Sequence, residues 1–360
     1  MSSLIIAFFT SFLVTVFIIR SQKLHKRFSG DSNLSGPQKF HKVSVPRIGG
    51  LGIALGLLIA VILHYESPAF SSPDFILLLC ASPVFFIGLT EDFTKNISVR
   101  TRLLFTAMGA FFAIYFLGIH INHLDIPGVD FILYISPFSI IFTIFAITGL
   151  ANAYNIIDGF NGLSSMVGMI TLLALGYVAI QVGDPLVTFL SFAMAASILG
   201  FFILNYPRGL IFLGDGGAYL IGFWIASLSV LIVTRHDTIS PWFALLINAY
   251  PIWETVFTIY RRKFHQGKNP GHPDGIHFHS LIFRRILNNS TIKSENDWFS
   301  ANAQTSPYLW VLTAIAVIPA VLYWNSTPLL VAFFLLFIVS YVWLYKRIVC
   351  FKTPKWMHLY

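Results

Sequence analysis

The sequence predicts an all-α, polytopic integral membrane protein with about eleven transmembrane helices, and three observations carry that expectation. Of the 360 residues 56% are hydrophobic and only 11% are charged. A soluble domain carries roughly 25% charged residues, so most of this surface is expected to face lipid. Apolar runs near the ~20 residues needed to cross a bilayer follow one another along the chain, separated by short polar breaks. Lys and Arg crowd into alternate breaks, the distribution that fixes orientation in a membrane.

The first run, 3–19, begins almost at the initiator and lacks a basic leader and a small-residue cleavage site, so it reads as a retained first helix. Arg20, Lys23, Lys26, Arg27, Lys39, Lys42 and Arg47 flank the break that follows. The second run, 47–64, ends at 65–74, which holds Glu66 and Asp74 but no Lys or Arg. The third, 75–90, leads into Glu91, Asp92, Lys95, Arg100 and Arg102. Runs 102–119 and 131–150 are joined by a stretch with Asp125 and Asp130 and no basic residue. Runs 162–182 and 187–204 flank Asp184, and Arg208 follows. Run 213–234 is followed by Arg235 and Asp237, with Arg235 the one basic residue on that side. Run 241–259 contains Glu254, read as a structural carboxylate pairing with Arg261 or Arg262. The long polar stretch 260–306 carries Arg261, Arg262, Lys263, Lys268, Arg284, Arg285 and Lys293, and is the candidate substrate-covering loop. Runs 307–324 and 327–345 precede Lys346, Arg347, Lys352 and Lys355.

Basic loops stay cytoplasmic, which puts the N-terminus outside and the C-terminus inside, in agreement with an odd number of spans. One membrane domain over 1–360 is expected, with cytoplasmic loops near 20–46, 91–101, 151–161, 205–212 and 260–306. The net charge of +8 then reflects membrane orientation and not nucleic-acid binding. Cys80 and Cys350 are the only cysteines, so neither a disulfide framework nor a thiolate metal site is expected. No repeat or low-complexity segment is visible.

This topology sorts the acidic residues. Glu66, Asp74, Asp125, Asp130, Asp184 and Asp237 fall outside and read as ordinary loop residues. The inner groups lie at helix ends on one membrane face: Glu91-Asp92 with Lys95, the segment Asn152–Gly162, and Gly214-Asp215-Gly216-Gly217. Ionisable groups at a membrane boundary cost several kcal/mol unless paired or functional, so their recurrence on one face points to a shared pocket. Lys95 adds a point charge suited to phosphate, expected on the same helix face as the acids. Asn152–Gly162 is rich in carboxamides and glycine and reads as a binding loop. Asp215 among glycines leaves carboxylate and backbone N–H groups accessible, as a magnesium–diphosphate site needs. His277 and His279, with His272 and Asp274 before them and Arg284-Arg285 after, offer donors to a diphosphate or a sugar. Each has a plainer reading: a solvated helix end, a connecting turn, a C-cap, a basic loop drawn to anionic lipid. Zinc is disfavoured, because no cysteine accompanies the histidines and the hard oxygen ligands suit magnesium.

Four ordered motifs make the sequence resemble the polyprenyl-phosphate N-acetylhexosamine-1-phosphate transferase family, over most of the chain. Pro46-Arg47-Ile48-Gly49-Gly50 is similar to its Pro-Arg-x-Gly-Gly, and Glu91-Asp92-x-x-Lys95 to its Asp-Asp-x-x-Lys. Asn155 to Gly162 matches Asn-x-x-Asp-Gly-x-(Asp/Asn)-Gly, and Phe212 to Gly217 matches Phe-x-Gly-Asp-x-Gly. The resemblance implies a cytoplasmic active site in a bacterial inner membrane. Asp92, Glu91 and Asp215 would be catalytic, with Asp92 orienting or deprotonating the lipid phosphate, and Asp215 with Asn155 would hold magnesium, or manganese. Lys95 would contact phosphate, Asp158, Phe160 and Asn161 would form the uridine pocket beside Asn152, and His277 and His279 would touch the diphosphate or sugar.

Two departures stand out. Glu91 replaces the usual first Asp, and Asp274-Gly275-Ile276-His277-Phe278-His279-Ser280 lacks the Arg and last His of the family's Asp-Arg-x-His-x-His-His, which leaves the sugar open.

The implied reaction joins a UDP-N-acetylhexosamine to polyprenyl (undecaprenyl) phosphate, giving polyprenyl-diphospho-sugar and UMP. It would initiate a cell-surface polysaccharide such as O-antigen in lipopolysaccharide or cell-wall biogenesis. Direct attack by the lipid phosphate is favoured, with an enzyme-bound intermediate on Asp92 as the alternative. A homodimer is one assembly open to such a protein. The competing readings are a phospho-muramoyl-pentapeptide translocase and a secondary transporter, whose sites tend to lie at the bilayer midplane and not at helix ends.

Overall fold

The structure is a computed structural model that describes residues 2–22, 45–64, 72–267, 274–287, 295–354 and 357. Glu66, His272 and most of 20–46 lie outside the described residues. In chain order the helices are α1 (Ser2–Arg20), α2 (Gly50–Ile62), α3 (Pro73–Thr94), α4 (Val99–Leu117), α5 (Val129–Leu133), α6 (Ser136–Ile157) and α7 (Leu163–Gln181). They continue as α8 (Pro185–Asn205), α9 (Gly214–Arg235), α10 (Pro241–Ile247), α11 (Ala249–Tyr260), α12 (Phe278–Ile282), α13 (Glu295–Leu322) and α14 (Thr327–Val349). This is the all-α, polytopic architecture expected. Among the described residues nine helices are long and apolar enough to cross a membrane: α1, α3, α4, α6, α7, α8, α9, α13 from Ala301, and α14.

The two other expected spans take different forms. At 13 residues α2 is about 20 Å long, short of the ~30 Å hydrocarbon core. Run 241–259 is broken at Asn248 into α10 and α11. Pro251 lacks the N–H that would bond the carbonyl of Ile247 four residues back, and that carbonyl instead accepts the Thr171 hydroxyl of α7 at 3.2 Å. The Asn248 amide donates to the Ala244 carbonyl at 2.9 Å, and its oxygen accepts from Tyr154 at 3.3 Å. Apolarity runs through the break, so a hydropathy reading joins the two pieces.

Helix α9 is the axis of the bundle. Nearly all of it is buried, and α2, α3, α6, α7 and α8 pack around it. Small residues permit that crowding, as expected where lipid leaves no hydrophobic drive between helices. At Gly88 a side-chain Cβ would lie 2.7 Å from the Cα of Gly216, so α3 and α9 cross backbone to backbone. One helical turn after Gly88 comes Asp92, which the crossing sets against the start of α9.

Three boundaries differ from expectation with consequences for the site. Helix α6 runs on to Ile157, so Asn152 and Asn155 are helical and only 158–162 turn. Helix α3 ends at Thr94 and Lys95 caps it in the left-handed conformation at φ 57°, so Lys95 does not share the helix face of the acids. Helix α13 begins at Glu295, inside the stretch expected to be loop, and from Asn302 on it docks on the turn after α6.

Candidate active site

Four chain segments meet at one end of the bundle: the entry to α2, the end of α3, the start of α4 and the start of α9. Backbone pairing aligns the first with the last. Phe212 N–H donates to the Pro46 carbonyl at 2.8 Å, Gly49 N–H to the Phe212 carbonyl at 3.0 Å and Gly50 N–H to the Leu213 carbonyl at 2.9 Å. Arg47 is thereby held beside Asp215, its guanidinium 3.3 Å from Oδ1 and 3.9 Å from the Asp92 carboxylate. From the first turn of α4, Arg102 pairs with the other oxygen of Asp215 and lies over the Tyr219 ring, 5.7 Å from its centroid. The Tyr219 hydroxyl donates to Asn152 Oδ1 at 2.9 Å, which links α9 to α6.

Asp92, 1% exposed, accepts from the N–H of Asp215 at 2.8 Å and of Gly216 at 2.9 Å. Its carboxylate satisfies two of the otherwise orphaned donors at the N-terminus of α9, a favourable place for negative charge. Glu91 turns the other way, accepting the Ile97 N–H at 2.6 Å and closing the turn into α4. The extra methylene that distinguishes Glu from Asp serves that reach.

The turn after α6 presents Asp158, whose carboxyl is lifted to about 7 by its poorly solvated surroundings, with the Arg47 charge pulling the other way. Phe160 is buried, its ring edge-on to His279 at 5.5 Å and tilted against Phe283 at 5.4 Å. Asn161 is a knot of the scaffold: its N–H donates to Asn302 at 3.1 Å, its amide to the Pro207 carbonyl at 3.2 Å, and its carbonyl accepts the Ser306 hydroxyl at 2.6 Å. The Gly162 carbonyl accepts the Trp310 indole N–H at 3.1 Å. Phe160 and Asn161 both shape the turn, and Asn161 keeps its side-chain Oδ1 buried without a hydrogen-bond partner among the described residues.

Across that turn lies α12. His277 and His279 stack with centroids 5.1 Å apart, and a Cβ on Gly159 would lie 3.0 Å from His279 Nε2. Burial pushes His279 down to about 3, helped by the neighbouring His277 and opposed by Glu254. Asp274 pairs with Arg261, which outweighs its burial and keeps it below the ordinary carboxylate range. Glu254 pairs with neither Arg261 nor Arg262, contrary to expectation. It accepts from His277 at 3.0 Å, the Phe278 N–H at 3.2 Å and the Tyr341 hydroxyl at 2.6 Å.

The geometry unites three of the expected groups at one end and adds Arg47, Arg102 and Tyr219. Arg47 sits in a motif that resembled the family's yet had no assigned role, and Arg102 counted only as a topology marker. Their function emerges only when α2, α4 and α9 are brought side by side. An array of two carboxylates and two guanidiniums at the mouth of a membrane bundle suits a phosphorylated ligand with a cation.

Comparison with known proteins identifies the family. Residues 75–233 match the family model described as glycosyl transferase family 4. The chain is 31% identical over 277 residues to the undecaprenyl-phosphate alpha-N-acetylglucosaminyl 1-phosphate transferase of Escherichia coli O157:H7, covering 75% of this chain and 73% of the relative. The chain belongs to this family of polyprenyl-phosphate N-acetylhexosamine-1-phosphate transferases. Proteins of the same description from Yersinia pestis, at 30% identity over 69% of this chain and 68% of the relative, and from Thermotoga maritima, at 29% over 78% and 80%, agree. The protein is thus a phosphosugar transferase and a multi-pass membrane protein with bacterial relatives. The stretch matching family 4 runs from α3 through α9 and so contains Asp92, Arg102, Asp158 and Asp215, while Arg47, Glu254 and the His277-Phe278-His279 segment lie outside it.

Proposed function

We propose that this transferase moves an N-acetylhexosamine 1-phosphate, with N-acetylglucosamine the first candidate from its relatives' names, from a UDP-sugar to undecaprenyl phosphate, releasing UMP. The supporting observation is the convergence of Arg47, Arg102, Asp92 and Asp215 where α2, α3, α4 and α9 meet. We assign that end to the cytoplasmic face of a bacterial inner membrane, where a soluble nucleotide sugar and a lipid phosphate can meet. The flanking Lys/Arg-rich stretches support this orientation, with the N-terminus outside. The product would initiate a cell-surface polysaccharide.

The donor set fits a hard divalent cation. Among the described residues no group of three or more His, Cys, Asp or Glu forms a closed site. Asp215, with the Asn155 carboxamide from the end of α6, would make an open oxygen set, of the kind completed by substrate phosphate oxygens and water. These residues would hold magnesium, or manganese, whose chemistry there is to neutralise charge on the bridging oxygen as UMP leaves. Arg47 and Arg102 grip the diphosphate from two sides, so that donor and cation replace their present contacts to Asp215. A phosphate monoester is largely ionised at neutral pH, so positioning and charge neutralisation carry more of the rate than proton removal. Asp92, with both oxygens accepting backbone N–H groups, suits an orienting role, and direct attack by the lipid phosphate follows. Asp158 faces the uridine and Lys95 the lipid headgroup.

The test is UMP release by purified protein given undecaprenyl phosphate, magnesium and a panel of UDP-N-acetylhexosamines. Release that requires both lipid phosphate and metal, with one preferred sugar, is expected. No release with any donor overturns the reading.

A further inference from the structure

Glu254 is 1% exposed, yet its carboxylate carries no Lys or Arg among its described ion-pair partners. Its partners are three hydrogen-bond donors from two elements: the His277 ring and the Phe278 N–H at the start of α12, and the Tyr341 hydroxyl of α14. A buried carboxylate held this way is expensive to keep unless its charge is used. Tyr341 and the Phe278 N–H could each be satisfied by a neutral amide, Tyr341 by rotating its hydroxyl. The charge is matched only by the imidazole. His277 caps the start of α12, its Nδ1 lies 3.0 Å from Glu254 Oε1 and 3.3 Å from the Thr258 hydroxyl, and Nε2 is left for another partner. Its ring stacks on His279, which in turn abuts Gly159 and Phe160 in the turn bearing Asp158. The Nδ1 edge of the ring is thus taken by Glu254 and Thr258, while a ring face meets His279.

We propose that Glu254 is a positioning residue for His277. Its carboxylate fixes the ring with Nδ1–H on Oε1 and supports a second proton on Nε2, which is delivered to an anionic oxygen of the donor substrate. This deepens the transferase reading and rests on it for the identity of that oxygen. The logic is that of a histidine whose far nitrogen is tuned by a carboxylate behind it.

The experiment joins a spectrum to a double-mutant cycle. Nitrogen-15 resonances of histidine-labelled full-length protein in detergent, with His277 assigned by its loss in His277→Asn, should show Nδ1 protonated in the native chain. In Glu254→Gln, which keeps one oxygen for both the Phe278 N–H and the His277 Nδ1–H and turns an amide to Tyr341, His277 should keep its Nδ1 proton but lose the second proton on Nε2. UMP release should fall about tenfold or more in kcat/KM in Glu254→Gln, the scale on which a histidine's orienting partner is felt. His277→Asn should fall at least as far, and the double variant no further than His277→Asn alone. Glu254→Asp should recover part of the loss. An unprotonated Nδ1 in the native chain overturns the proposal whatever the activity, and so do additive losses or unchanged kcat/KM in Glu254→Gln. If Glu254→Gln fails to fold, the native spectrum and Glu254→Asp still decide. Absence of UMP release by the native chain would sink the transferase reading, while the spectrum would still judge the Glu254–His277 contact.

Discussion

Each end of the bundle buries a carboxylate beside arginine, and the two arrangements differ in kind. At the end away from the site, Asp184 caps α8 by accepting the Val187 N–H at 3.1 Å, and also binds Arg235 at 2.6 Å and His236 at 2.9 Å. The start of α8 and the end of α9 close on one another there, with donors matched to acceptors. Burial would raise the Asp184 carboxyl, but Arg235, the Val187 N–H and His236 outweigh it and hold it below the usual range. At the site end Asp215 is gripped by two arginines that come from separate helices, with Asp92 and Asp158 close enough to Arg47 to share its charge. Like charges crowd there in a way that a purely structural cluster avoids. The contrast teaches that a buried ion pair is mute about function until its surroundings are counted: a saturated pair secures a helix, and a crowded one waits for a ligand.

The comparison breaks or sharpens under five substitutions. Asp215→Asn should reduce UMP release by roughly 10²–10³-fold, since it removes the charge at the centre of the array, while the thermal midpoint in detergent shifts little. A comparable loss of stability would instead make Asp215 a counterpart of Asp184. Arg102→Gln, which removes a charge, and Arg47→Lys, whose point charge cannot replace a planar fork, should each lower kcat/KM by about tenfold. Full activity in Arg47→Lys would show that mere positive charge suffices.

A smaller effect is expected at Asp158. Raised to about 7, it is mostly protonated below neutral pH and ionised above it. The KM for the UDP-sugar should therefore change by a few-fold between about pH 6 and 8, and Asp158→Asn should flatten that dependence. For the fold the sign is the reverse of the usual carboxylate: with its native value above the unfolded one, Asp158 favours folding at low pH and loses that contribution as pH rises through about 7. Smallest on activity should be Asp184→Ala, which leaves turnover per folded molecule unchanged. It should destabilise by about 1–2 kcal/mol at neutral pH as its partners lose their acceptor. Because the native Asp184 value is depressed, its contribution is present above the unfolded carboxylate range and fades as pH falls through the native value, so the variant's deficit should shrink in acid.

Much of the bundle was legible in the sequence because lipid imposes a simple code of length and charge asymmetry. Helices α1, α3, α8, α9 and α14 stand close to where apolar runs put them. The code fails where protein replaces lipid as the neighbour. Polar Asn302 and Ser306 of α13, with Trp310, dock on Asn161 and Gly162 and not on lipid, and the break at Asn248 is hidden by unbroken apolarity. Within the site, Asp92 and Asp215 were legible as acids at helix ends, whereas Glu91 gave no sign that it would close a turn. Asp184 was read as an ordinary loop acid, and nothing local announces its burial, since Arg235 and His236 lie about fifty residues away. Glu254 reads from the sequence as a structural carboxylate pairing with Arg261 or Arg262, but its partners His277 and Tyr341 lie 23 and 87 residues on.

The docking of α13 on the Asn161–Gly162 turn bears on how such enzymes diverge and can be recombined. The stretch that marks the family ends at residue 233, yet the shape of its central turn is set by Asn302, Ser306 and Trp310. A chimera that exchanged the segment from α3 to α9 between two relatives would transplant the acids and leave their mould behind. Inheritance of specificity should therefore track pairs of segments, one from each half of the gene, and a swap of matched halves should keep what a swap of the marked region alone would lose.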